Sequence, residues 1–169
     1  MFQSLPSLIF YVHRMWRVLG ILWWPSLIGL LLWGLLRLDR VLPRAVAPRP
    51  WPGAVLVLAG VTLALWCVGL LARLGRGTPH PFAAKTKKLV VRGPYRYVRN
   101  PMMWAVGMLL LGSALWMGST GLLLGFAGFL PGIHLFVTRY EERDMARRFG
   151  EEYREYCRRT PRWWPKFNG

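Results

Sequence analysis

Acidic side chains are scarce in this chain. It carries seven Asp and Glu against 23 Lys and Arg, a formal net charge of +16. In a water-soluble domain that imbalance would point to nucleic acid, but the basic residues are unevenly placed. Charge is missing altogether from residues 18–36, 53–72 and 100–138. Long uncharged stretches in a chain that is 54% hydrophobic mean a polytopic membrane protein. Nucleic acid is thereby set aside as a partner. The basic residues are read instead as marking the cytoplasmic side and attracting anionic lipid headgroups. Cysteine is as scarce: Cys67 stands in an uncharged stretch and Cys157 in the basic tail. Two such thiols exclude a disulfide framework and a CxxC metal pair, so no metal is expected. No Ser-His-Asp set, HExxH, Walker loop or dinucleotide-binding glycine pattern occurs. A basic region leading into an apolar core and a small-residue cleavage site is also missing near the start, so no cleavable signal peptide is expected. No charged residue stands mid-span to form a transport path.

What is present divides cleanly. Phe2, Leu5, Ile9, Val12 and Trp16 recur at helical spacing, which predicts an interfacial helix over 1–17 or one packed against the spans. Spans one and two are expected within 18–74, with Pro25 kinking the first. A basic connector follows over 75–99. The uncharged stretch 100–138 is too long for one helix and right for a hairpin of spans three and four, turned at 117–121. Gly107, Gly112, Gly125 and Gly128 would let helices approach closely. Pro131-Gly132 is expected to loosen span four. Over 139–165, Met145, Phe149, Tyr153 and Tyr156 share one face of a cytoplasmic amphipathic helix that stops at Pro161. Trp163 and Trp164 suit the headgroup region. The expected fold is therefore all-α. It is a single membrane domain over 1–169, a polytopic integral membrane bundle of four transmembrane helices with an N-terminal interfacial helix and a C-terminal amphipathic helix. Basic residues concentrate on the side shared by both termini and the connector, which predicts cytoplasmic termini.

The stretch that organises the rest is residues 89–103, LVVRGPYRYVRNPMM. Proline removes a backbone donor and disfavours helix in the residue before it, so a short kinked connector is expected here. Arg92, Arg96 and Arg99 stand there with Tyr95 and Tyr97 at the mouth of span three. The hairpin returns His134, Glu141 and Glu142 to the same membrane face. Guanidinium forks bind carboxylates, and carboxylates bind ammonium groups or ribose hydroxyls. Both signs together suit a cofactor that is at once amino acid and nucleoside. The residues alone leave open a plain basic juxtamembrane loop, an acidic first helical turn and an interhelical histidine.

GPYRYVRNP at 93–101, a helical hairpin, YEE at 140–142, FGEEYREY at 149–156 and PRWWP at 161–165 follow one another in this order. Together they resemble the isoprenylcysteine carboxyl methyltransferase and phospholipid methyltransferase superfamily, over roughly residues 75–165. GTPHPF at 77–82 and HLF at 134–136 resemble a prokaryotic branch, which implies a prokaryotic cell membrane. The resemblance implies an S-adenosyl-L-methionine-dependent methyltransferase acting on a membrane lipid or lipid-modified acceptor at the cytoplasmic face. A non-catalytic scaffold that keeps the fold and binds anionic lipid is the alternative. Arg99, Asn100 and Pro101 match the superfamily's cofactor-holding element, and Glu141 and Glu142 match its glutamate pair. Met103 and Ala105 depart from it, standing where the pattern has Tyr and Gly. By the same resemblance the cofactor-binding set is Gly93, Pro94, Tyr95, Arg96, Asn100, Pro101, Met103, His134, Glu141 and Glu142. Arg99 and Glu142 are the expected catalytic pair. Replacing Glu142 by Gln is expected to weaken cofactor binding without unfolding the protein.

Overall fold

The uncharged stretches form helices, and the prolines and glycines between them set where each begins and ends. The computed structural model describes residue 26, residues 28–75 and residues 86–166. The expected interfacial helix over 1–17, most of the start of span one and the GTPHPF segment lie outside the described residues. The helices are α1 (Ile28–Leu38), α2 (Pro50–Arg73), α3 (Pro101–Met117), α4 (Thr120–Phe136) and α5 (Glu142–Arg159). A 3-10 turn, Gly93–Arg96, precedes α3, and a π turn, Val137–Glu141, joins α4 to α5. No strand occurs among the described residues. Pro50–Arg73 and the continuous helical run Thr120–Arg159 are long and apolar enough to cross a membrane, while Ile28–Leu38 and Pro101–Met117 are shorter apolar helices.

Burial runs opposite to that of a water-soluble core. Trp51, Leu58, Leu65, Leu124 and Leu130 are exposed, whereas Gly53, Gly60, Ala105, Gly112 and Ala114 are buried. Large apolar side chains outside and small ones inside suit hydrocarbon surroundings, where close backbone packing holds helices together. The α2–α3 contact shows this directly. A Cβ on Gly53 would stand 2.5 Å from the Trp116 backbone nitrogen and 2.7 Å from the Gly112 carbonyl oxygen. No side chain of any size fits there.

The hairpin turn is built from polar backbone capture. Gly118 takes the left-handed conformation (φ 64°) that ends α3, and the Leu122 N–H donates to Ser119 Oγ at 3.0 Å to start α4. The loop after α1 ties into it. The Gly121 N–H donates to Asp39 Oδ1 at 2.8 Å. Thr120 Oγ1 donates to the Pro43 carbonyl at 2.9 Å and accepts from the Ala45 N–H at 2.8 Å. The backbone bond from Gly121, then the Ser119 hydroxyl, holds the Asp39 carboxyl below its ordinary range.

Pro131 lies inside α4, and the helix continues past it to an irregular turn at Val137–Glu141. The expected single amphipathic helix is broken at Gly150, whose φ of 54° and ψ of −124° only glycine tolerates readily. The break re-aims the second half, so that Tyr153 and Tyr156 bury while Glu151, Arg154, Glu155 and Arg158 pair with one another in solvent.

Candidate functional site

Three chain segments converge at the end of the hairpin opposite the turn. The first is the connector. Gly93 (φ 57°) and Pro94 open the 3-10 turn, and Asn100 then precedes Pro101 at the start of α3. Asn100 is buried but its side chain does not cap α3; its Nδ2 donates instead to the Arg162 carbonyl at 3.2 Å. The second is the π turn, which inserts an extra residue into the helical ladder and rotates Glu141 and Glu142 off the register of α4. The third is the chain after α5, residues 161–166.

Glu142 is the meeting point. Its Oε1 lies 2.9 Å from Arg99 Nη1. Arg162 takes both oxygens, Nε donating to Oε1 at 2.7 Å and Nη2 to Oε2 at 2.8 Å. A fork of this kind is the strongest geometry available to a guanidinium and a carboxylate. Arg99 Nη1 also donates to Cys157 Sγ at 2.8 Å. Two polar atoms here are buried and have no partner among the described residues: Arg99 Nε and Glu141 Oε2. Burial, followed by the negative charges of Glu142 and Asp144, pushes the Glu141 carboxyl above its ordinary range. Native proteins rarely leave such atoms unsatisfied. One is a donor and the other an acceptor, which is what a ligand carrying both a carboxylate and an ammonium or hydroxyl group requires.

The other expected site residues divide. Tyr95 is half-buried against the Cys67 thiol, and burial pushes its hydroxyl well above the ordinary range. Its carbonyl accepts from Tyr156 Oη at 2.6 Å. His134 is exposed and accepts at Nδ1 from Trp163 Nε1 at 3.1 Å, which ties α4 to the tail. Arg96 is exposed, and its carbonyl accepts from Thr160 Oγ1. Pro94 and Pro101 line an apolar cavity of about 510 Å³ between α2, the connector and the tail, walled by Leu63, Trp66, Trp104 and Trp164. A second, open cavity of about 440 Å³ has Glu142, Arg143, Tyr153, Cys157 and Arg158 at its edge. Gly93 packs close to Leu70 and Trp66, and Met103 lines neither cavity. No cluster of metal-binding side chains occurs among the described residues.

Arg162 and Cys157 are site neighbours that sequence reasoning missed. The motif PRWWP was visible as part of the resemblance, but only its tryptophans were given a role, in the headgroup region. Arg162 stands 20 positions from Glu142, beyond any local periodicity that could pair them.

The described residues form helices and no strand, and two helices long and apolar enough to cross a membrane fit a membrane protein. The family model for phospholipid methyltransferase matches residues 48–152, more than half of the chain, so the protein belongs to the phospholipid methyltransferase family. At family level it is a methyltransferase of the membrane, with a lipid as the substrate the family implies. Comparison with curated proteins gave no match, and neither did comparison with solved structures. The matched region holds Arg99, Asn100, His134, Glu141 and Glu142 and ends before Arg162.

Proposed function

We propose that this protein transfers a methyl group from S-adenosyl-L-methionine to a lipid or lipid-modified acceptor at the cytoplasmic face of a prokaryotic membrane. The bundle has four spans, both termini in the cytoplasm and a single membrane domain. The observation that carries this is the pair of unsatisfied buried atoms, Arg99 Nε and Glu141 Oε2, beside the Arg99–Glu142–Arg162 cluster in a chain of this family.

These residues fit the cofactor's polar groups. Arg99 presents its free N–H edge to a carboxylate, and Glu141 presents its free oxygen to an ammonium or ribose hydroxyl. Asn100 and Tyr95 close the site from the connector. When bound, S-adenosylmethionine supplies an activated methyl and a neutral leaving group. The protein's part is to exclude water and hold the acceptor in line, and alignment alone can supply much of the rate. The apolar cavity beside Pro94 and Pro101 accepts the acceptor's hydrocarbon portion from the bilayer. The acceptor atom is an amine, carboxylate or thiol. An amine gives a rate that rises with pH as it deprotonates, and a carboxylate does not.

The test is the melting temperature of the detergent-purified protein with added S-adenosylhomocysteine. Ligand at about a hundred times its dissociation constant stabilises the fold by roughly 2.7 kcal/mol. A saturable upward shift, reduced in Glu141→Gln, is the expected result. No shift at millimolar ligand overturns the proposal.

A further inference from the structure

The tail at residues 161–166 is sewn to the connector and α3. The Arg99 N–H donates to the Pro161 carbonyl at 2.9 Å, Trp104 Nε1 to the Trp163 carbonyl at 2.8 Å and the Lys166 N–H to the Tyr97 carbonyl at 3.1 Å. Asn100 Nδ2 holds the Arg162 carbonyl, and the Trp104 and Trp164 rings meet edge to face at 5.9 Å. These contacts seat the tail without help from the Arg162 side chain. That side chain holds Glu142 through Nε and Nη2.

Charge balance does not require it. Glu142 already has Arg99 at 2.9 Å, so its own charge is matched before the second guanidinium is counted. What Arg162 changes is geometry. A lone Arg99–Glu142 pair would settle into the two-point fork that guanidinium and carboxylate prefer, and the Glu142 oxygen would cover Arg99 Nε. Because Arg162 holds both carboxylate oxygens, Arg99 reaches Glu142 through Nη1 alone and its Nε keeps no partner.

We propose that Arg162 is a positioning residue: by clamping Glu142 it keeps the Nε edge of Arg99 open for the carboxylate of the bound cofactor. The inference rests on the proposed cofactor site and adds a residue outside the matched family region. It makes the tail a working part of the site.

The experiment compares two probes on the full-length protein in detergent. S-adenosylhomocysteine carries the amino-acid carboxylate, and adenosine lacks it. Dissociation constants are measured for wild type, Arg162→Gln, Glu142→Gln and the double variant. Arg162→Gln is expected to weaken S-adenosylhomocysteine at least tenfold and leave adenosine within twofold. In the Glu142→Gln background the same change should have little further effect, because a neutral amide no longer draws Arg99 into a two-point fork. Equal losses for both probes, additive losses in the double variant, or unchanged S-adenosylhomocysteine affinity in Arg162→Gln overturn the inference and make Arg162 a brace of the fold. If wild type binds neither probe, the cofactor site itself is refuted and the inference falls with it. Should Arg162→Gln fail to fold, Arg162→Lys is read by the same probe ratio. A single ammonium cannot hold both oxygens, so a selective loss is again expected.

Discussion

The two ends of the α3–α4 hairpin are built on opposite principles. At the turn, Asp39, Ser119, Thr120 and Gly121 satisfy one another and the neighbouring backbone through short bonds, and the glycines beside them bring backbones into contact. At the other end two guanidinium groups share one carboxylate, and two buried polar atoms are left over. The turn end therefore spends its polar groups on folding, and the connector end holds some back. Consistency at every level is what specifies a structure, and sites of function are where it is broken. The two carboxylates make the same contrast. Backbone donors hold Asp39 below its ordinary range, whereas burial and like charge push Glu141 above it.

The comparison is broken most severely at the turn end. Gly53→Ala places a methyl against backbone on α3, where neither partner can rotate away. A loss of about 3 kcal/mol is expected, in line with overpacked interiors, measured by denaturant titration in mixed micelles. The charged end should respond less in stability and more in binding. Glu142→Gln leaves Arg99 and Arg162 facing a neutral amide. Removing one partner of a buried pair costs about 3–5 kcal/mol, and partial exposure of this cluster reduces that to about 2 kcal/mol. S-adenosylhomocysteine affinity should fall in Glu142→Gln and hold in Gly53→Ala at a temperature where both are folded. Equal binding losses in the two would erase the distinction between the ends.

How much of this was legible in the sequence follows from what each feature depends on. The uncharged stretches and their proline and glycine boundaries announced α2 and the α3–α4 hairpin, because hydropathy and turn chemistry are local. The approach of residue 99 to residue 142 was also legible, since a hairpin brings its two ends together. The π turn was not, because Val137–Glu141 differs from an ordinary helix only in hydrogen-bond register. The break at Gly150 was passed over because FGEEY keeps helical periodicity through the glycine. Arg162 was illegible for a different reason. Its partner is fixed by how the tail folds back over Arg99 and Trp104, a tertiary fact with no spacing rule.

At the turn, Asp39→Asn sharpens the contrast with a smaller effect. The amide still accepts from Gly121 but loses its charge, and a loss of about 1 kcal/mol is expected near neutral pH. Because folding lowers the Asp39 pKa, its contribution is present above the ordinary value of 3.8 and disappears as pH falls through the folded value. Wild type and Asp39→Asn should therefore converge in melting temperature in acid. A gap that persists there would mean that Asp39 acts through packing, not charge.

Glu141→Gln is the case where no loss of stability is expected at all. Folding raises this carboxyl above 4.5, so the native state binds more protons than the unfolded chain between that value and the folded one. Stability falls as pH rises through this interval, and the penalty stands in full above it. Gln carries no charge to bury, so the variant should melt higher than wild type near neutral pH and lose that advantage as pH falls below about 4.5. Its binding should move the other way. Losing a charged acceptor costs about 1.5 kcal/mol, roughly a tenfold weaker affinity for S-adenosylhomocysteine. A stabilised protein that binds its ligand less well is the signature of a group kept for chemistry at the expense of the fold. If Glu141→Gln were destabilised at neutral pH, or bound as tightly as wild type, the free oxygen would be a packing defect and the asymmetry between the two ends would carry no function.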